Sequence, residues 1–134
     1  MDEAWEAAEL AGIADDIRAM PMGMFTRISE GSGSISGGQR QRLLIARAVA
    51  AKPKLLIFDE ATSALDNITQ RQVSDALGAL DCTRVVVAHR LSTIRNCDRV
   101  LVLDGGRIVE DGTYDDLLAQ NGVFAELVER QRLI

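Results

Sequence analysis

The spacing of apolar residues changes character several times along the chain. In residues 2–20, Ala4, Ala7, Ala8, Leu10 and Ala11 recur at helical intervals behind Asp2 and Glu3, acids that suit a first helical turn. Gly12 is a candidate break, Ile13 to Met20 resumes the pattern, and Pro21 ends it because proline cannot continue the hydrogen-bond ladder. Residues 21–35, rich in glycine and serine, read as loop. Ser36-Gly37-Gly38-Gln39 then opens a predicted helix running to about Ala51. Ser36 and Gln39 stand at capping-box spacing, and Leu43, Leu44, Ala46, Ala48, Val49 and Ala50 supply the apolar surface.

After that helix the period of 3.6 disappears. Lys54-Leu55-Leu56-Ile57-Phe58 is a continuous apolar run ending in Asp59-Glu60, which predicts a strand covered on both faces in a parallel sheet. A helix is predicted from about Thr69 to Leu80, and a second buried strand over Arg84 to Ala88, ending at His89. Val100 to Leu103 and Arg107 to Val109 flank Asp104-Gly105-Gly106, a hairpin signal. Thr113 to Ala119 and Gly122 to Arg132 read as closing helices, the first with Thr113 and Asp116 at capping-box spacing. Strand, helix, strand, then a hairpin and helices predict an α/β architecture.

Composition narrows this picture. A length of 134 residues fits one small domain or part of a larger one. At 47% hydrophobic and 26% charged the chain can build a core, and with 4% aromatic residues that core must come from Leu, Ile, Val and Ala. The net charge is −5 and the arginines are interspersed with acids, so there is no basic stripe and nucleic acid is not an expected partner. No apolar run reaches the roughly 18–20 residues of a membrane span, and the start, Met1-Asp2-Glu3-Ala4-Trp5, lacks the features of a secretory signal. Cys82 and Cys97 share no metal-ligand spacing and read as ordinary thiols of a reducing compartment.

Four clusters carry candidate chemistry, and each also has a plainer explanation. In Ile35-Ser36-Gly37-Gly38-Gln39-Arg40-Gln41-Arg42, two glycines at a helix start leave backbone N–H groups uncovered at the positive end of the dipole. This suits phosphate oxygens, and it equally suits a structural N-cap. Asp59-Glu60 ends an apolar strand at the edge where α/β sheets bind ligands. Asp59 is placed to hold Mg²⁺ and Glu60 to orient a water, or both cap the next helix. His89, the single histidine, is a phosphate partner or a structural residue. Asp66, closing Ser63-Ala64-Leu65-Asp66, is part of a functional loop or an N-cap.

Their order and spacing say more than any one of them. Ser-Gly-Gly-Gln-Arg-Gln-Arg, then Leu-Leu-Ile-Phe-Asp-Glu-Ala-Thr-Ser-Ala-Leu-Asp, then Ala-His-Arg-Leu-Ser-Thr-Ile resembles the ABC transporter ATPase family over nearly the whole chain. The resemblance implies the C-terminal part of a P-loop, RecA-like ATPase domain. Residues 1–50 would be the end of its helical subdomain with the signature helix, and residues 51–134 the C-terminal part of the core. Ser36, Gly37, Gly38 and Gln39 then match the signature motif, which contacts ATP held by the opposite protomer, with Ile35 where leucine is commoner. Asp59 matches the Walker B carboxylate serving Mg²⁺, Glu60 the catalytic glutamate, and Ser63, Ala64, Leu65 and Asp66 the D-loop. His89 matches the switch histidine. The implied cofactors are ATP and Mg²⁺. The implied partners are a second ABC ATPase domain, in a homo- or heterodimer, and ABC transmembrane domains, on the cytoplasmic side of the plasma membrane.

Ala88-His89-Arg90-Leu91-Ser92-Thr93-Ile94 resembles the exporter type, and Pro21-Met22-Gly23-Met24 with Ile28-Ser29-Glu30-Gly31 resembles bacterial peptide or bacteriocin exporters. Neither Lys52 nor Lys54 follows a glycine, so these residues contain no Walker A loop. The expectation is that the isolated chain does not hydrolyse ATP and leaves apolar strand edges uncovered. A free half-domain that binds a full ABC ATPase in trans is the alternative. A chromosome-maintenance ATPase is disfavoured, since residues 1–34 hold no heptads.

Overall fold

A computed structural model describes residues 1–29, 33–59, 63–88 and 90–132. Glu60 and His89 therefore lie outside the described residues. The chain forms two compact units, Met1–Val87 and Ala88–Ile134. The boundary near residue 50 expected from the resemblance runs inside the first of these.

In the first unit, α1 (Asp2–Leu10) and α2 (Ala14–Ala19) realise the predicted helix with its break at Gly12. The segment that reads as loop contains one short 3₁₀ turn, Gly23–Phe25. Helix α3 (Gly37–Ala50) starts where the capping-box spacing placed it. The Ser36 hydroxyl accepts from the Gln39 N–H at 3.1 Å, and the Gln39 carboxamide oxygen accepts from the Ser36 N–H at 2.8 Å. Strand β1 (Leu55–Asp59) pairs in parallel with β2 (Thr83–Val87), from Leu55 opposite Thr83 to Asp59 opposite Val87. Between them runs α4 (Asn67–Gly78). It begins two residues before the expected Thr69 because Asp66 caps it.

The core of this unit joins Ala8, Ala11, Ile13 and Ile17 of the first two helices and the turn between them to Ile45 and Val49 of α3. Leu56 and Phe58 of β1, Leu65, and Val73 and Leu77 of α4 complete it. Each fully buried aliphatic side chain here stabilises by roughly 1.5–3 kcal/mol.

The expectation of strands buried on both faces is corrected. In β1 only Leu56 and Phe58 are buried, while Leu55 and Ile57 are 52% and 69% exposed, and all five residues of β2 are exposed. Helices cover one face of this two-stranded sheet; Leu55, Ile57, Val85 and Val87 stand in the open. A parallel sheet normally has both faces covered, which is why an unbroken apolar run suggested it.

The second unit begins with α5 (Leu91–Ile94), a single turn that the apolar pattern does not announce. Strands β3 (Val100–Asp104) and β4 (Arg107–Gly112) form the predicted hairpin, antiparallel around Gly105-Gly106. Both glycines have positive φ, +53° and +74°, as the favoured two-residue hairpin turn requires. Helices α6 (Tyr114–Ala119) and α7 (Val123–Arg132) close the chain. Thr113 and Asp116 make the second capping box, and the Glu110 carboxylate accepts from the Phe124 N–H at 2.7 Å, holding the first turn of α7. Val102, Leu117, Phe124 and Val128 form the core, with Tyr114 edge-on to Phe124 at 5.4 Å.

Candidate active site

Two of the candidate clusters, Ser36–Gln39 and Ser63–Asp66, meet at the N-terminal turn of α3. That turn carries two glycines, and its first N–H groups have no acceptor within the helix. A β-carbon placed on Gly38 would stand 3.3 Å from the Ala64 carbonyl oxygen and 3.6 Å from Leu65. One placed on Gly37 would stand 3.8 Å from the Ala64 β-carbon. The missing side chain at Gly38 lets the loop Ser63–Asp66 lie close against the helix start, while a methyl at Gly37 would meet it in ordinary contact, so two clusters separate in sequence are neighbours in space.

Gln41, one turn further along the same face, closes this contact. Its Nε2 donates to the Ser63 hydroxyl at 3.0 Å, and its Oε1 accepts from the Ala64 N–H at 2.9 Å. The other end of the loop is equally held. Leu65 is buried, and Asp66 Oδ1 accepts from the N–H groups of Ile68 and Thr69, both at 3.0 Å, while Oδ2 accepts from the Thr69 hydroxyl at 2.7 Å. The Thr69 backbone and hydroxyl bonds, reinforced by Ile68, hold the Asp66 carboxyl below its ordinary range.

A second polar joint fixes α3 to α2. Asp16 accepts from Gln39 Nε2 at 2.7 Å and from Arg42 Nη1 at 3.0 Å. Arg42, whose side chain is only 17% exposed, also donates to the Gly12 carbonyl and reaches the Gly38 carbonyl at 3.4 Å. Each hydrogen bond to a charged partner contributes roughly 1.5–3 kcal/mol. The Gln39 carboxamide is thus engaged at both ends, by Ser36 and by Asp16.

Asp59 ends β1 with its side exposed. The residues that follow it, Glu60 included, and His89 are outside the described set, so the structure brings together Ser36, Gly37, Gly38 and Gln39 with Ser63, Ala64, Leu65 and Asp66. Sequence reasoning missed Asp16, and it included Gln41 and Arg42 in the Ile35–Arg42 cluster without giving either a role. A signal for Gln41 was present: it lies three and four positions after the two glycines, where a helix places its neighbours on one face.

Comparison with known proteins places this arrangement. The family model described as ABC transporter matches residues 2–63. The ABC-type transporter fsqE of Aspergillus fumigatus is 47% identical over 135 residues, covering 99% of this chain and 10% of that protein. The ATP-dependent lipid A-core flippase of Bordetella avium is 48% identical over 128 residues, covering 94% of this chain and 22% of that protein. Among solved structures, a bacterial Atm1-family ABC exporter with ATP bound superposes with a TM-score of 0.91 at 43% identity, over 97% of this chain and 23% of that one. The chain belongs to the ABC transporter ATP-binding family.

Membership accounts for the α/β fold, and it joins the chain to a family of ATP-hydrolysing transporters. The chain spans about a tenth to a quarter of the length of the relatives it matches. No helix among the described residues is long and apolar enough to cross a membrane.

Proposed function

We propose that this chain is the C-terminal half of the ATP-hydrolysing domain of an ABC exporter and couples ATP binding and hydrolysis to transport out of the cytoplasm. The observation that carries this reading is the bare N-terminal turn of α3 packed on the Ser63–Asp66 loop, in a chain 43% identical to an exporter structure that holds ATP.

The described residues fit part of a magnesium–nucleotide site. Ser36, Gly37 and Gly38 form a helix start suited to phosphate oxygens, which belong to a nucleotide bound by a second ATPase domain, identical or different. Gln39 shapes that turn through Ser36 and Asp16. Asp59 supplies a hard oxygen ligand for magnesium, which when bound offsets phosphate charge. Glu60 orients the attacking water and His89 bonds the terminal phosphate; both assignments rest on sequence position. No Gly-Lys-Ser or Gly-Lys-Thr occurs among the 134 residues, so the phosphate cradle comes from outside them and the isolated chain is inactive. The open apolar positions of β1 and β2 fit a sheet completed by further strands. Transmembrane domains are the remaining partners, and the site lies on the cytoplasmic side of the membrane.

The cargo is a finer question. A peptide or bacteriocin cargo rests on Pro21–Met24 and Ile28–Gly31 alone and draws no support from the relatives above, none of whose names mentions a peptide and one of which is named for lipid A-core. Inverted vesicles holding the intact transporter, supplied with magnesium and ATP, are expected to accumulate a labelled cargo. A panel of peptides and lipid-like amphiphiles separates the two classes. Transport equal with and without ATP would sink the exporter reading.

A further inference from the structure

We propose that Gln41 is a positioning residue for hydrolysis: its carboxamide locks the Ser63–Ala64 backbone to the first turns of α3, so that the Ser36–Gly38 turn and the Ser63–Ala64 segment move as one body. The inference deepens the function proposed above and rests on it.

The geometry is specific. The amide bonds in both directions at once, donating to the Ser63 hydroxyl at 3.0 Å and accepting from the Ala64 N–H at 2.9 Å. Both bonds bridge more than twenty positions of sequence, 22 for Ser63 and 23 for Ala64. They close the loop's upstream end, while Leu65 in the core and Asp66 on α4 close its downstream end. Gly37 and Gly38 supply the surface on which Ala64 lies. Without the carboxamide, the loop keeps its downstream anchors and loses the bonds that set its distance from the Ser36 turn. Phosphoryl transfer depends mainly on placement, so the deficit belongs in turnover rather than in nucleotide binding.

The test is made on the intact transporter that carries this chain, with magnesium and ATP as the probe. Gln41→Ala and the volume-conserving Gln41→Met are expected to lower kcat about ten- to a hundredfold, the scale of a small misplacement, with the KM for ATP nearly unchanged. Gln41→Glu keeps acceptors for the Ala64 N–H and the Ser63 hydroxyl proton and recovers most of the rate. Ser63→Ala costs less alone and adds little to Gln41→Met, because both remove one joint. Hydrogen exchange in the peptide containing Ala64 rises in Gln41→Met while the core of α3 stays protected. A Gln41→Met transporter that keeps wild-type kcat, or that loses KM with kcat intact, overturns the inference and leaves the proposed function standing. A wild-type transporter that does not hydrolyse ATP overturns both.

Discussion

Around the start of α3, single polar side chains act in pairs of bonds rather than singly. Gln39 joins Ser36 to Asp16, Gln41 joins Ser63 to Ala64, and Asp66 gathers Ile68 and Thr69. Asp66 has a measurable consequence. Its folded carboxyl is held below its ordinary value by the Thr69 bonds first. A depressed acid contributes stability above its unfolded pKa and loses it as pH falls through the lower, folded value. Thermal denaturation should therefore separate wild type from Asp66→Ala at neutral pH, with the gap closing as pH drops below the usual carboxylate range. A gap that stays constant to strongly acid pH contradicts the charged cap. Ser36, Thr113 and Asp66 were legible from sequence because capping is local, spanning three residues. Asp16 was not, and for Gln41 only its place on the glycine face was: their partners lie more than twenty positions away, and a polar residue on a helix reads by default as solvent-facing.

At the scale of elements, periodicity found every helix longer than four residues and all four strands among the described residues, with starts displaced by at most a few positions. It missed α5, whose single turn is too short to show a period, and the 3₁₀ turn at Gly23–Phe25. It also over-read burial. The runs at Leu55–Phe58 and Val85–Val87 have the composition of strands covered on both faces, but composition records what a strand is built to meet, and among the described residues Leu55, Ile57 and all of β2 are left exposed. Caps are where an element can be probed alone. Thr113→Ala removes the bond from the Asp116 N–H, at 3.2 Å, and the bond the Thr113 hydroxyl donates to the Asp116 carboxylate, at 2.7 Å, while the Thr113 backbone N–H keeps its half of the box. It should cost about 1 kcal/mol, read as a lower denaturation midpoint. Because Thr113 is none of the candidate site residues and caps only α6, the transporter's turnover per folded molecule should be unchanged; a large loss of turnover would contradict that local role.

At the scale of the whole molecule, identity came from order. A serine-glycine-glycine turn, an acid ending an apolar strand, a short loop and a lone histidine are each ordinary, and each has a structural explanation that holds in part here: Ser36 and Asp66 are indeed N-caps. Their succession marked the family before any coordinates, and the match to an ATP-bound exporter at a TM-score of 0.91 agrees with it. Cargo was not legible, since Pro21–Met24 and Ile28–Gly31 are short segments whose residues carry no chemistry particular to one substrate. The central claim is that these residues belong to an ATP-hydrolysing transporter domain. The most direct measurement is magnesium-dependent phosphate release by the intact transporter, wild type beside Glu60→Gln, with the 134-residue chain alone as a third sample. The account predicts steady turnover in the wild type, near-complete loss in Glu60→Gln with ATP still bound, and none from the chain alone. Turnover that survives Glu60→Gln, or that the isolated chain supports unaided, would contradict it.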